Sequence, residues 1–390
     1  MDFRLSPEEE AFRGVVVDFL ERELSPDVHR EYEERGLPGP LYHAFLRRLG
    51  EKGWLSMTWP TEHGGQGKPP IYRFILVEEM AKRGLESRNV AESIVAPALM
   101  LYGTPQQRED FLPRIARGEM VFTVLYSEPH AGSDLASLEL RATRTGNGYI
   151  FSGQKLFSSE ADMAHYAWAA ARTDPDAPKH RGISMFLLGM KTPGITVRPL
   201  ISMAGDRRFN EVFLDGAYAG RECLVGEENR GWNYAAAALD FERATAGAAM
   251  FIGNATYILS RILDYAKENP DSLRGRPGLR SQLSQRAAEV EVLRVLSYRV
   301  LSLMMGGRAP TYEASLVKLF GSELTQRLAQ TAAAALGPYS QLMHGSPRAP
   351  YEGELGMFYL RAVSDSIRGG TSEIQRNIIA IRGLGLPTIK

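Results

Sequence analysis

Three stretches of the chain carry residues whose types and spacing suit chemistry. The first is residues 126–137, YSEPHAGSDLAS, which follow the apolar run 121–125. That run is rich in β-branched and aromatic residues and reads as a buried strand. Pro129 ends it, because proline offers a ladder no N–H. Ala131-Gly132-Ser133-Asp134 then supplies a loop whose backbone approaches a ligand closely, with hydroxyl and amide donors turned outward. Small residues and donors at a strand end suit a phosphate or a flat heterocycle, and equally an ordinary polar turn. The second is Glu242, which on a helix shares a face with Ala235, Ala238, Leu239, Thr245, Ala246 and Ala249. A carboxylate on so apolar a face is either a base lining a pocket or half of a structural salt bridge. The third is Gly369-Gly370-Thr371-Ser372. The glycine pair opens backbone conformations closed to other residues, and Ser372 with Gln375 spells a capping box at the start of the last helix. A helix start with free amides attracts anions.

The elements that position these stretches fall into three textures. Ser6-Pro7-Glu8-Glu9 gives an N-cap, a first-turn proline and a capping-box acid, and Phe12, Val15, Val16, Phe19 and Leu20 repeat on one helical face. Further helices read at 40–52, 71–83, 89–102 and from Thr104-Pro105 to Arg117. From Val121 the chain turns to strands: 139–145 and 149–153 form a hairpin about Gly146-Asn147-Gly148, and 166–172, 182–188, 196–201 and 211–214 continue the pattern. After Gly226 the chain is helical again, over 230–268, 278–305, 311–336, 352–366 and 372–382. Helices, strands, then helices make an α+β arrangement with a β-domain between two helical ones.

Composition excludes several classes. Lys+Arg and Asp+Glu both number 46, so no basic excess points to nucleic acid or an anionic membrane surface. Cys223 is the only cysteine in 390 residues, which rules out an intrachain disulfide and suits a reducing cytoplasm. The start, MDFRLSPEEE, is unlike a signal peptide, and no apolar stretch reaches the length of a membrane span. The seven histidines are scattered without metal-ligand spacing, so no metal is expected. Residues 61–67 are glycine-rich but lack the pattern of a P-loop.

Ser127-Glu128-Pro129-x-Ala131-Gly132-Ser133-Asp134 resembles the flavin-loop signature of the acyl-CoA dehydrogenase family. Gly153-Gln154-Lys155-Leu156-Phe157-Ser158-Ser159 is similar to that family's G-x-K-x-W-[IT]-[ST] segment, and the stretch from Gly369 to Ala380 resembles its C-terminal signature. The resemblance spans nearly the whole chain. It implies an N-terminal helical domain (1–120), a central antiparallel β-sandwich or barrel that binds flavin (121–225) and a C-terminal four-helix bundle (226–390). It also implies FAD as cofactor, an acyl-CoA substrate, an electron-transfer flavoprotein as acceptor, and assembly as a homodimer or homotetramer in the cytoplasm.

The same resemblance assigns expected roles. Tyr126 and Ser127 would meet the pyrimidine edge of the flavin, with Gly132 and Ser133 near its pyrophosphate or the CoA arm. Phe157 stands where a tryptophan usually packs on the ring, followed by Ser158, and Ser159 takes the place of the hydroxyl that bonds flavin N5. Thr371, Ser372 and Glu373 would touch FAD. The Gly369 amide, with a flavin ribityl hydroxyl, would polarise the thioester carbonyl, beside Gly370. Medium-chain members carry their catalytic glutamate at the position of Gly369. Isovaleryl- and long-chain-type members place it on a helix with a leucine-aspartate-x-glutamate-arginine pattern. Here that pattern is Leu239-Asp240-Phe241-Glu242-Arg243, which makes Glu242 the expected base, with Asp240 and Arg243 beside the substrate.

Two features leave room for other readings. Arg368 suits an acyl chain carrying a carboxylate, and equally an ion pair with Asp365. The Arg-x-x-Phe-Gly segment that contacts the partner subunit's FAD in many relatives lacks its phenylalanine between Glu268 and Pro277. Sequences lacking it resemble bacterial members acting on bulky or steroid-derived thioesters, some of them heterotetramers. A flavin monooxygenase or oxidase on the same fold, or a non-catalytic subunit of a heteromeric enzyme, therefore stands beside the dehydrogenase reading.

Overall fold

The computed structural model describes residues 4–85, 89–242 and 247–388, without the side chains of 239–242. Helix α1 (Pro7–Glu23) opens on the capping box its sequence spells. Ser6 N–H donates to Glu9 Oε2 at 2.7 Å, and Glu9 N–H to Ser6 Oγ at 3.3 Å. Helices α2 (Pro26–Arg35), α3 (Pro40–Glu51), α4 (Pro70–Ala81), α5 (Ala96–Tyr102) and α6 (Pro105–Ala116) follow. The strands are β1 (Phe122–Leu125), β2 (Arg141–Thr145), β3 (Gly148–Ser159) and β4 (Tyr166–Arg172), then β5 (Ile183–Gly189), β6 (Ile195–Leu200), β7 (Phe209–Gly220) and β8 (Leu224–Val225). Helices α7 (Gly231–Glu242), α8 (Ala248–Glu268), α9 (Pro277–Met305), α10 (Tyr312–Leu336), α11 (Glu354–Ala362) and α12 (Ser372–Ile378) complete the chain.

These elements form two compact units. One comprises Leu24–Lys68 and Arg88–Glu242, and the other Met1–Glu23, Pro69–Ser87 and Arg243–Lys390. The first is built on an eight-stranded sheet of order β6-β7-β3-β2-β4-β5-β8, with β1 paired to β4. Gly146-Asn147 makes the expected hairpin turn, since Thr145 pairs with Gly148. The sheet is mixed rather than antiparallel throughout. Strand β1 runs parallel to β4 from Phe122↔Tyr166 to Leu125↔Ala169, and β2 meets β4 in parallel at Arg141↔Arg172. Parallel neighbours need a long crossover, and the β2–β3 hairpin supplies it by returning the chain between β1 and β4. Trp168, Phe151, Phe186 and Tyr149 fill the interior.

In the other unit α8, α9 and α10 pack on one another, α4 packs on α8 and α9, and α11 and α12 lie against α10. Small buried residues of α10, among them Ala314, Ser315, Ser322, Ala329 and Ala332, allow close helix approach. At Gly321 a Cβ would stand 2.9 Å from the Phe251 ring. Glu78, fully buried on α4, accepts Arg13 of α1 at 3.2 Å, Lys82 at 3.0 Å and Arg294 of α9 at 3.4 Å. That shared carboxylate ties three helices where apolar packing alone specifies no register. Over the helix expected at 230–268 the structure describes α7 and α8, which belong to different units, and residues 243–246 between them lie outside the described residues. Among the described residues, no helix is long and apolar enough to cross a membrane.

Candidate functional site

The strand-end loop of the sheet unit is held by a buried ion pair. Lys155, fully buried on β3, places Nζ 2.7 Å from Glu128 Oε1 and donates to the Tyr126 carbonyl at 2.9 Å. Burial pushes the Lys155 amine down to about 8, with Glu128 pulling it back up. Glu128 also accepts the backbone N–H groups of Glu139 (2.6 Å) and Leu140 (2.9 Å). Leu156 N–H donates to the Ser127 carbonyl at 2.8 Å. The two motifs around Ser127 and Lys155 are thus fastened to each other. Tyr126 turns its ring into the core, where its hydroxyl accepts from Trp168 Nε1 at 2.9 Å, so its backbone is what the loop presents. Gly132 and Ser133 are exposed at the loop's tip.

Beyond Lys155 the β3–β7 ladder slips, pairing Lys155 with Val212 but Ser158 with Asn210. A bulge of this kind re-aims side chains. Phe157 sits at its centre with φ +57 and is 59% exposed, which excludes a core role for it within the unit. Its ring meets Phe209 edge-on at 5.9 Å. Ser158 is buried, and its Oγ has no hydrogen-bond partner among the described residues. The Ser158 carbonyl accepts from Asn210 Nδ2 at 3.0 Å, and the Ser159 carbonyl from Thr123 Oγ1 at 2.8 Å. Arg172 braces the loop from behind, donating to the carbonyls of Ala136 (2.6 Å) and Leu138 (3.1 Å).

The third stretch lies in the helical unit. Gly369 and Gly370 have φ +66 and +88, the left-handed region that side chains disfavour. Thr371 follows with extended backbone and caps α12: its hydroxyl accepts Ile374 N–H at 3.3 Å. The N-cap is therefore Thr371 rather than Ser372, and with Ile374 at N3 the expected capping box with Gln375 does not form. The left-handed glycines leave Thr371 as the last extended position, so Ser372 is already helical. Its Oγ is buried without a described partner. Gln375 instead turns back and donates to the carbonyls of Gly369 (3.3 Å) and Gly370 (3.2 Å). Glu373 is exposed, and the helix-start N–H and the Thr371 hydroxyl hold its carboxyl below the usual range. Thr371 and Ser372 border an open groove of about 440 Å³, with Glu323, Gln326, Ser366 and Arg376. Arg368 is engaged by Asp365, its Nε donating at 2.7 Å, while Lys318 Nζ donates to the Asp365 carbonyl at 3.1 Å.

The described part of helix α7 reaches Glu242. The side chains of Asp240 and Glu242, and all of Arg243, lie outside the described residues. Earlier on the same helix Ala235 and Ala238 are buried, consistent with an apolar face running toward Glu242. The supports to which sequence reasoning gave no role are Glu128, Lys155, Arg172 and Asn210, while Gln375 was read as a capping partner of Ser372 and instead holds the glycine carbonyls. A lysine within a strand that packs on the core was the one legible signal.

Comparison with known proteins matches the N-terminal, middle and C-terminal domain models of acyl-CoA dehydrogenases at residues 6–119, 123–217 and 229–384. The chain is 33% identical to acyl-CoA dehydrogenase FadE26 of Mycobacterium tuberculosis over 405 aligned positions, covering 99% of each chain. Among solved structures it resembles the Tcur3481-Tcur3483 steroid ACAD, with TM-score 0.92, 31% identity and full coverage of both chains. It also resembles the ChsE4-ChsE5 complex from Mycobacterium tuberculosis, with TM-score 0.89, 31% identity and full coverage of both.

Proposed function

Because the chain belongs to the acyl-CoA dehydrogenase family and is an FAD-dependent oxidoreductase, we propose that it desaturates an acyl-CoA thioester at Cα–Cβ with Glu242 as the base. What carries this reading is Gly369. It is side-chain-free at the position where some relatives keep their carboxylate, while residues 239–243 spell the leucine-aspartate-x-glutamate-arginine pattern. When bound, FAD supplies the acceptor for the hydride leaving Cβ. Glu242 takes the α-proton as general base. The Gly369 N–H donates to the thioester oxygen as negative charge develops there, a contact typically worth ~2.7–4 kcal/mol. Gly370 keeps the backbone clear beside it.

The residues present fit a flavin nucleotide. Phe157 offers an exposed aromatic ring to a heterocycle, and Ser159 follows it on a strand end anchored by Thr123. Ser372 brings an unpartnered hydroxyl to a groove wide enough for a phosphate. By the family resemblance, Ser127, Gly132 and Ser133 are the loop residues expected to meet the flavin. For the acyl group, the steroid ACAD among its relatives and the absent Arg-x-x-Phe-Gly segment favour a bulky, polycyclic thioester. The ChsE4-ChsE5 relative favours assembly with a sister chain over a homotetramer. An electron-transfer flavoprotein is the expected acceptor. Anaerobic addition of straight-chain, branched, dicarboxylic and steroid-derived acyl-CoA to the yellow protein tests the reading. Bleaching by at least one thioester supports it. Flavin bleached by none, with FAD bound, points to an oxidase or to a partner-dependent subunit.

A further inference from the structure

We propose that Glu160 and His43 form a buried brace that sets how Phe157 and Ser159 are presented, making both positioning residues for the flavin reaction. The inference rests on the reading that Phe157 and Ser159 face the flavin. Its first observation is backbone strain. Among the described residues, the non-glycine positions with positive φ are Phe157, Glu160, Asn229, Tyr351 and Glu352. Two of these bracket Ser158-Ser159, and neither Phe nor Glu is a residue that tolerates left-handed backbone well. Such strain persists only where the surroundings over-determine it.

The surroundings of Glu160, at φ +58, show how. Its carbonyl accepts the N–H groups of Met163 (3.0 Å) and Ala164 (2.9 Å), closing a tight turn directly after β3. Its side chain points inward rather than to solvent, only 8% of the residue being exposed. There Oε1 lies 3.1 Å from Nε2 of His43, which α3 carries at 8% exposure. The contact is off the hydrogen-bond line, yet neither atom has another hydrogen-bond partner among the described residues. Tyr42, Leu46, Val121 and Phe122 surround the pair and leave room for about one water molecule. A buried carboxylate is costly unless it is paired, so His43 is what makes this inward pose of Glu160 tenable. Because Ser159 directly precedes Glu160 and its own carbonyl is held by Thr123, anchoring Glu160 fixes the direction of the Ser159 hydroxyl. Nothing in the proton or hydride chemistry needs a carboxylate at 160. Its burial against an imidazole is accounted for by support of the strand end.

The test uses the full chain, apo and reloaded with FAD, and measures the FAD dissociation constant and the visible spectrum of the bound flavin without substrate. The variants are His43→Phe, His43→Gln, Glu160→Gly and, as reference for the flavin-facing reading, Ser159→Ala. Glu160→Gly relieves the backbone strain while removing the brace, and His43→Gln keeps a nitrogen at the right reach. His43→Phe and Glu160→Gly are expected to weaken FAD about tenfold, a 1.4 kcal/mol change. Both should shift the flavin bands in the direction Ser159→Ala does, while His43→Gln stays close to the parent. His43→Phe alone carries the test of the brace should Glu160→Gly not fold. Altered bands in Ser159→Ala, with parental FAD affinity and bands in His43→Phe and Glu160→Gly, overturn the brace alone. Parental bands in Ser159→Ala overturn the flavin-facing reading and the brace with it. Lower melting temperatures with parental flavin properties also reject positioning, since a purely structural role predicts that pattern.

Discussion

At the scale of single residues, Lys155 shows how one buried charge organises a loop assembled from two distant motifs. Lys155→Met leaves Glu128 buried without its cation, and removing one partner of a buried pair typically costs about 3–5 kcal/mol. Adding Glu128→Gln removes the orphaned charge while retaining an acceptor for one of the two amides, those of Glu139 and Leu140. The double variant should therefore lose less than the sum of the single losses. Urea unfolding of the four proteins measures this, and additive losses would mean the two side chains do not act as a unit. Arg368 invites a different expectation. Its guanidinium is committed to Asp365, so Arg368→Ala should leave the preference between dicarboxylic and plain acyl-CoA unchanged. A shift toward plain substrates in competition assays would show that the arginine reaches the acyl chain. The lysine of the G-x-K segment was visible in the sequence, but its partner 27 residues away was not. Which carboxylate a buried amine meets depends on the ladder that brings β3 beside the loop. His43 and Glu160, farther apart still, were illegible for the same reason.

At the scale of elements, legibility followed local chemistry. The capping box at Ser6 and the Gly146-Asn147 turn were readable because their partners lie within a few residues. Helix α2 was not, because only Val28 is buried along it and apolar periodicity is absent. The start of α12 was misread by one residue, since the letters Ser-x-x-Gln fit a capping box, whereas the preceding left-handed glycines make Thr371 the cap, with Ile374 opposite it unable to close a box. This geometry makes Gly370 testable. A Cβ there would stand 2.6 Å from Gln375 Nε2, in a backbone at φ +88. Gly370→Ala should therefore cost about 1–2 kcal/mol in strain and also free Gln375 from the glycine carbonyls. Thermal or urea unfolding reads the loss. A neutral substitution would mean the helix start is not held in this conformation.

At the scale of the whole molecule, helices, strands and helices followed in the sequence as they do in the structure. The division into two units was not visible, because α1 and α4 join a unit whose other helices begin more than 150 residues later. A net charge of zero and relatives solved as complexes direct attention to assembly. If a sister chain completes the flavin site, the protein purified alone should hold substoichiometric FAD that rises on co-expression. Full loading alone, with a homo-oligomer by light scattering, would favour self-assembly. The central claim concerns the base, and Glu242→Gln tests it most directly. Glutamine keeps the shape and hydrogen bonding of the side chain but cannot accept the α-proton. FAD content and acyl-CoA binding should survive, while anaerobic stopped-flow bleaching of the flavin slows by roughly 10²–10⁴, the usual worth of a general base. Bleaching within a few-fold of the parent would contradict the account and remove Glu242 as the base.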